Sequence, residues 1–131
     1  MQFQPGDVVK RPGPWGTDHL GLFACVDILG QQWVIHNAKN ECVKWDLLES
    51  FAAGTSVSLV RRATNAYEGA VIVAQAQSSL GRRFDLVNFN CEHFVNCAVA
   101  GNAVRPQLQG AVVRLAVLAA FGVLISSSVD A

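Results

Sequence analysis

Two apolar runs that are rich in β-branched and aromatic residues lie on either side of Gly30. The first, HLGLFACVDI, begins at His19, and the second, QWVIHNA, occupies residues 32–38. Runs of this kind bounded by glycine favour β-strands, and a short connection between two of them favours an antiparallel hairpin. We therefore expect a hairpin that carries His19 and His36 on adjacent strands, where both can face one side of a sheet.

Turn signals divide the rest of the chain into short segments of different type. Asn65 and Glu68 have the spacing of a helix capping box, and Gly81 is placed to end the helix that they open. Asn90 is suited to cap a second helix over residues 91–100. The other predicted elements are strands over 55–62 and 84–89 and a short helix over 45–51. This order predicts an α+β domain, a small antiparallel sheet with packed helices.

Length, charge and cysteine content narrow the class of protein. The 131 residues are enough for one domain with its own core. Ten basic residues balance ten acidic ones, which argues against a nucleic-acid partner. The opening stretch MQFQPGDVVKRPGP lacks the apolar run of a secretory signal, so we expect a cytoplasmic protein. In a reducing compartment the four cysteines are free thiols.

An apolar tail follows the predicted domain, which we expect to comprise residues 1–110. Residues 115–125 read LAVLAAFGVLI, and no charge occurs between Arg114 and Asp130. This run is shorter than the roughly 20 residues that a spanning helix needs. The tail, residues 111–131, therefore predicts either a helix packed on the core or a membrane anchor.

The stretch FNCEHFVNC, residues 89–97, places Cys91 in the first turn of the second predicted helix. The free N–H groups and partial positive charge of a helix N-terminus stabilise a thiolate, so Cys91 is a candidate nucleophile. The same N–H groups can stabilise an oxyanion during acyl transfer. The alternative for such a cysteine is an inert, buried side chain.

A base for Cys91 is predicted on the hairpin. His93 lies two positions further along, about 200° around the helix, so its side chain points away from Cys91. The sequence contains no C-x-x-C pair, and no metal site is predicted. We expect His19 to accept the thiol proton and His36 to orient His19, as the third member of a catalytic triad does. Asn37 is a weaker candidate for that third role.

At this point the motifs resemble a known family. NCEHFVN at 90–96 resembles the cysteine motif of the lecithin retinol acyltransferase-like family, which includes the H-Ras-like suppressor phospholipases and acyltransferases. The family's opening and its two histidine segments resemble PGDVV at 5–9, DHLGLF at 18–23 and VIHNA at 34–38. The resemblance implies a circularly permuted papain-like fold of the NlpC type. It also implies that Cys91, His19 and His36 are the catalytic residues.

The chemistry implied by this resemblance is acyl transfer or hydrolysis through a thioester on Cys91, with a glycerophospholipid as the expected substrate and no cofactor. The apolar tail resembles the family's membrane anchor. In the loop before His19, Lys10, Arg11 and Trp15 are of types common at membrane surfaces. Two alternatives stay open: a thiol amide hydrolase of the cell-wall peptidase or isopeptidase type, and a non-enzymatic module that binds partners at a membrane.

Overall fold

A computed structural model describes residues 2–104 and has an antiparallel sheet at its centre. The strands are β1 Val8–Pro12, β2 Asp18–Val26, β3 Gln32–Asn37, β4 Val43–Leu47 and β5 Ser58–Arg61. They form a five-stranded sheet in the order β4-β3-β2-β1-β5. β2 and β3 are the predicted hairpin, in which Leu22 is paired with Ile35.

Three α-helices accompany the sheet within the described residues. They are α1 Leu48–Ala52, α2 Ala66–Ser78 and α3 Cys91–Val104, and a short 3-10 turn over Pro14–Gly16 joins β1 to β2. The Asn65 side chain caps α2 by accepting a hydrogen bond from Glu68 N at 2.9 Å. The Asn90 side chain caps α3 in the same way, accepting from His93 N at 3.0 Å. Both predicted helix starts are confirmed.

The sheet has a separate apolar core on each face. On one face α2 and α3 pack over Leu22 and Ile35, and Phe94 of α3 is fully buried there. On the other face Phe51 of α1 packs against Val34. Successive side chains of a strand point to opposite faces, so neighbouring residues of β2 and β3 enter different cores. The predicted α+β class with an antiparallel sheet is confirmed.

The strand predicted over residues 84–89 is not formed. The Asp85 side chain accepts hydrogen bonds from Val87 N at 3.0 Å and Asn88 N at 3.1 Å. These bonds close a turn, and only an isolated bridge between Asp85 and Phe89 remains of the strand. A carboxylate that bonds the backbone two residues ahead competes with sheet pairing, which explains the error.

The helix predicted over residues 45–51 is also only partly correct, because its first residues belong to β4. Trp45 is paired with Ile35, and Asp46 with Val34, along the edge of β3. The helix therefore begins at Leu48. The strand predicted over 55–62 is present in shorter form as β5.

The predicted tail of residues 111–131 lies outside the described residues. Among the helices of residues 2–104, none combines the length and apolar character needed to cross a bilayer.

Candidate active site

The two hairpin histidines contact each other on one face of the sheet. His19 lies at the start of β2 and His36 near the end of β3. His19 Nε2 and His36 Nδ1 are 2.9 Å apart, and the rings meet edge to face with centroids 5.1 Å apart. The two residues predicted as base and third member are therefore hydrogen-bonded to each other.

A carboxylate that the sequence analysis did not single out completes this chain. Asp46 Oδ2 of β4 lies 2.9 Å from His36 Nε2, the ring nitrogen that does not face His19. The result is a continuous series of contacts across three adjacent strands, from Asp46 through His36 to His19. The residue was missed because WDLLESF predicts a helix, whereas pairing with β3 turns the Asp46 side chain towards the histidines.

Burial makes both imidazoles harder to protonate. The pKa of His19 is lowered to about 4, chiefly by burial and further by the neighbouring His36 and Arg11. Burial also lowers the pKa of His36, although the hydrogen bond and the charge of Asp46 oppose that change. Both rings are therefore neutral at pH 7, and a neutral imidazole is the form that can accept a proton.

The ring of Phe51 packs against both His19 and His36. Its ring centroid lies 5.4 Å from that of His19 and 5.3 Å from that of His36. The ring comes so close to β2 that a Cβ at Gly21 would lie 2.8 Å from Phe51 Cε1. A glycine at this position thus lets the ring pack under both imidazoles.

Cys91 begins α3, as predicted, but the helix packs on the sheet face opposite the histidines. Phe94 and Val95 of α3 belong to the core that contains Leu22, whereas the histidines lie on the Phe51 face. Cys91 is therefore not brought to the histidines by a helix that crosses their face of the sheet.

Asn37 shows how the cysteine nevertheless comes near the histidines. Its side chain points to the helix-bearing face, where Nδ2 donates a hydrogen bond of 2.9 Å to the carbonyl of Phe89. This contact fastens the segment before Cys91 to the end of β3, one residue beyond His36. Asn37 makes no hydrogen bond to His19 among the described residues, so the geometry favours His36 in the orienting position.

Cys91 and the histidines line the same cavity, which has a volume of about 810 Å³. Its lining includes Cys91, His19, His36 and Asp46. No hydrogen bond within residues 2–104 joins Cys91 Sγ to either histidine, and His19 Nδ1 is not engaged by any described residue. In unliganded sites catalytic contacts are often long and shorten when substrate binds.

His93, whose side chain was predicted only to point away from Cys91, takes part in capping its own helix. Its Nδ1 accepts a hydrogen bond of 3.1 Å from Asn90 N, while its own N–H donates to the Asn90 side chain. This reciprocal pair stabilises the first turn of α3, as a capping box does. No group of three or more metal-binding side chains occurs in the part of the chain that the structure describes.

A cysteine at a helix N-terminus and two histidines that line one cavity are the residue types that thiol-dependent enzymes use. The family model described as lecithin retinol acyltransferase matches residues 2–104, and the chain belongs to this family. Membership supports an enzyme of the acyltransferase or phospholipase type that acts on lipid acyl substrates. A search of curated proteins gives no significant match.

Proposed function

We propose that the protein transfers or hydrolyses acyl groups through a thioester on Cys91, with a glycerophospholipid as acyl donor. The observation that carries this proposal is the shared cavity, which Cys91 lines together with His19 and His36. Family membership supports lipid acyl chemistry in general. The cysteine mechanism, the roles of the three residues and the phospholipid substrate are the proposal.

In the first half-reaction His19 Nδ1 takes the proton of the Cys91 thiol. The sulfur attacks the ester carbonyl carbon, and the resulting oxyanion is stabilised by the backbone N–H of Cys91 at the start of α3. The tetrahedral intermediate expels the alcohol, which receives the proton from His19. A thioester on Cys91 and a lysophospholipid are the products.

In the second half-reaction the acyl group leaves the cysteine. Water, or the hydroxyl or amine of an acceptor, loses a proton to His19 and attacks the thioester carbonyl. Collapse of the intermediate releases the acyl product, and the sulfur recovers the proton from His19. The same residues therefore serve hydrolysis and transfer, and the acceptor decides between them.

Of the three lysine and arginine residues in the cavity lining, Lys44 is paired with Glu41 and Asp46. Arg11 and Lys39 form no ion pair within residues 2–104 and are available to an anionic headgroup. Guanidinium and ammonium groups are common partners of phosphate oxygens. The cavity volume also lies within the about 300–1,000 Å³ usual for small-molecule sites. These features support a phosphate-bearing ester as the substrate.

Three exposed apolar side chains lie at or beside the mouth of the cavity. Trp15 is 95% exposed, Leu86 69% and Val87 77%, and the first two line the cavity itself. Exposed aromatic and aliphatic side chains at an interface favour contact with lipid. We propose that this edge rests on a membrane surface, so that an acyl chain can enter the site without crossing water.

The acyl intermediate is tested by intact mass spectrometry after incubation with phosphatidylcholine vesicles. We expect an adduct of fatty-acyl mass that hydroxylamine removes and that Cys91→Ser lacks. Cys97→Ser is the matched control, because Cys97 is an exposed thiol on the same helix, and this variant should keep the adduct. If the adduct is absent while Cys91 reacts unusually fast with iodoacetamide, the substrate is a peptide or another amide. If both are absent, the chain is a binding module.

The membrane edge is tested by flotation with the same vesicles. Leu86→Ser should reduce the bound fraction, and Trp15→Ala should reduce it further. Leu29→Ser is the control, since Leu29 is 73% exposed but lies in the turn at the far end of the β2–β3 hairpin. Equal losses for Leu29→Ser and Leu86→Ser would contradict a specific membrane edge.

A further inference from the structure

Asp46 is the outermost member of the contact series across β4, β3 and β2. We infer that Asp46 is a positioning residue, which acts through His36 to keep His19 in the protonation form that can accept the thiol proton. The inference rests on the proposed function of His19 as the base. Asp46 contacts His36 and not His19, so its effect on the protonation of His19 is transmitted through the His36 ring.

The positions of the protons follow from the donors and acceptors in the series. A carboxylate only accepts, so the bond of 2.9 Å to Asp46 Oδ2 requires a proton on His36 Nε2. In a neutral His36 the other nitrogen, Nδ1, is then an acceptor. His19 Nε2 must donate to it across 2.9 Å and therefore carries the proton. The lone pair of a neutral His19 is left on Nδ1, the nitrogen that no described residue engages.

Without Asp46 the protons of the two histidines are no longer held on these particular ring nitrogens. His36 could then carry its proton on Nδ1 and donate it to His19 Nε2, since either tautomer of the pair satisfies the bond between the rings. In that arrangement the proton of His19 sits on Nδ1. Such a ring has no lone pair to offer on the nitrogen that the proposed mechanism requires, so the fraction of competent enzyme falls.

Charge adds to this effect once His19 becomes protonated. Within residues 2–104, the charges that act on His36 are those of Arg11 on β1 and of Lys44 and Asp46 on β4, and its titratable contact is His19 on β2. Phe51 of α1 packs against His36 without contributing a charge. Asp46 is the only carboxylate in this set, so it is the group that stabilises positive charge on the histidine pair during acyl transfer.

A purely structural role for Asp46 would rest on its ion pair with Lys44. That contact is 3.8 Å long, and Lys44 has a shorter one of 3.1 Å to Glu41. Partly exposed pairs of this length contribute little to folding. Glu41 therefore provides a matched control, because it shares Lys44 with Asp46, lines the same cavity, and forms no hydrogen bond or ion pair with either histidine among the described residues.

The first test is the tautomer of His19 in the resting full-length protein, read by long-range ¹H–¹⁵N correlation spectra. We expect a protonated Nε2 and an unprotonated Nδ1 in the wild type and in Glu41→Ala, and a mixture of the two tautomers in Asp46→Ala. An unchanged His19 tautomer in Asp46→Ala overturns the inference. This readout needs no turnover, so it decides the role of Asp46 even if the proposed acyl transfer fails.

The second test is steady-state hydrolysis of a short-chain phosphatidylcholine. An aspartate-to-asparagine change at the third position of a serine protease triad lowers kcat about 10⁴-fold, and Asp46 acts from one ring further away. We expect Asp46→Asn to lower kcat about 10- to 100-fold with KM within about twofold. Asp46→Glu should recover part of that loss, and Glu41→Ala should resemble the wild type. Equal losses in Asp46→Asn and Glu41→Ala overturn the inference, because they would reflect Lys44 alone.

Discussion

A methyl group added at Gly21 would collide with the ring of Phe51, which packs against both His19 and His36. The Cβ of Gly21→Ala would lie 2.8 Å from Phe51 Cε1 and 2.9 Å from Val34 Cγ1. Favourable carbon contacts are about 3.5–4.0 Å long, so both neighbours must move by roughly 0.6 Å or more. Phe51 and Val34 are fully buried, which leaves them little room to do so.

The size of the effect follows from this crowding. Overpacking a tight core by one methyl group costs about 1–3 kcal/mol, and two simultaneous short contacts place Gly21→Ala in the upper half of that range. For a domain of this length each kcal/mol lowers Tm by about 3–5 °C, so we expect a decrease of about 6–15 °C. Because Phe51 contacts both imidazoles, its displacement should also lower kcat by about tenfold or more.

A double-mutant cycle with Phe51→Leu identifies the cause. The leucine lacks Cε1 and Cζ, the two ring atoms nearest to the new methyl group, but the contact with Val34 remains. Urea unfolding should therefore show that Gly21→Ala and Phe51→Leu together cost about 1 kcal/mol less than the sum of the single changes. Strict additivity, or a Gly21→Ala variant within about 0.5 kcal/mol of the wild type, would refute the close packing of Gly21 on Phe51.

Three further outcomes are expected. Because the pKa of His19 is lowered to about 4 and that of His36 is also lowered, the unfolded chain takes up protons first as pH falls below about 6.5. The contribution of the two buried histidines to the free energy of unfolding is therefore fully present above that pH and decreases towards pH 4, by about 1–2 kcal/mol after allowance for the partial exposure of His19. Urea unfolding at a series of pH values measures this decrease. A flat profile between pH 7 and 4.5 would contradict the assigned burial. Asn37→Ala should lower the free energy of unfolding by only about 1 kcal/mol, since the Phe89 carbonyl keeps its second donor, Asp85 N. It should also slow the reaction of Cys91 with iodoacetamide. An unchanged rate would contradict the role of Asn37 in holding the segment before α3. Asn65→Ala, which removes the cap of α2, should cost about 1 kcal/mol in thermal unfolding and leave the rate of acyl transfer unchanged, and a slower rate would connect α2 to the site.

Much of the fold could be predicted because its signals are local. The hairpin depends on two β-rich runs around Gly30, and α2 and α3 begin at side chains that cap their own helices. The residue types of the candidate site were also readable. A cysteine in the first turn of a helix and histidines on paired strands predict particular chemistry before any contact is known.

The two errors in secondary structure had different causes, strand pairing with a distant segment in one case and a side-chain hydrogen bond to the nearby backbone in the other. WDLLESF has the composition of a short helix, yet the exposed edge of β3 paired with its first residues and made them part of β4. FDLVNF has the composition of a strand, yet Asp85 bonded the backbone ahead of it and closed a turn.

The sequence by itself thus determined the class of fold, the position of Cys91 at a helix start and the contact between the side chains of His19 and His36. Each of these depends on residues close together in the chain or on a single hairpin. Only the tertiary structure decided which face of the sheet α3 covers and which carboxylate meets His36. Those outcomes depend on how separate elements pack and on which strand occupies the edge beside β3. Asp46 acquired its contact with His36 from strand pairing, and nothing in its immediate sequence predicts that contact.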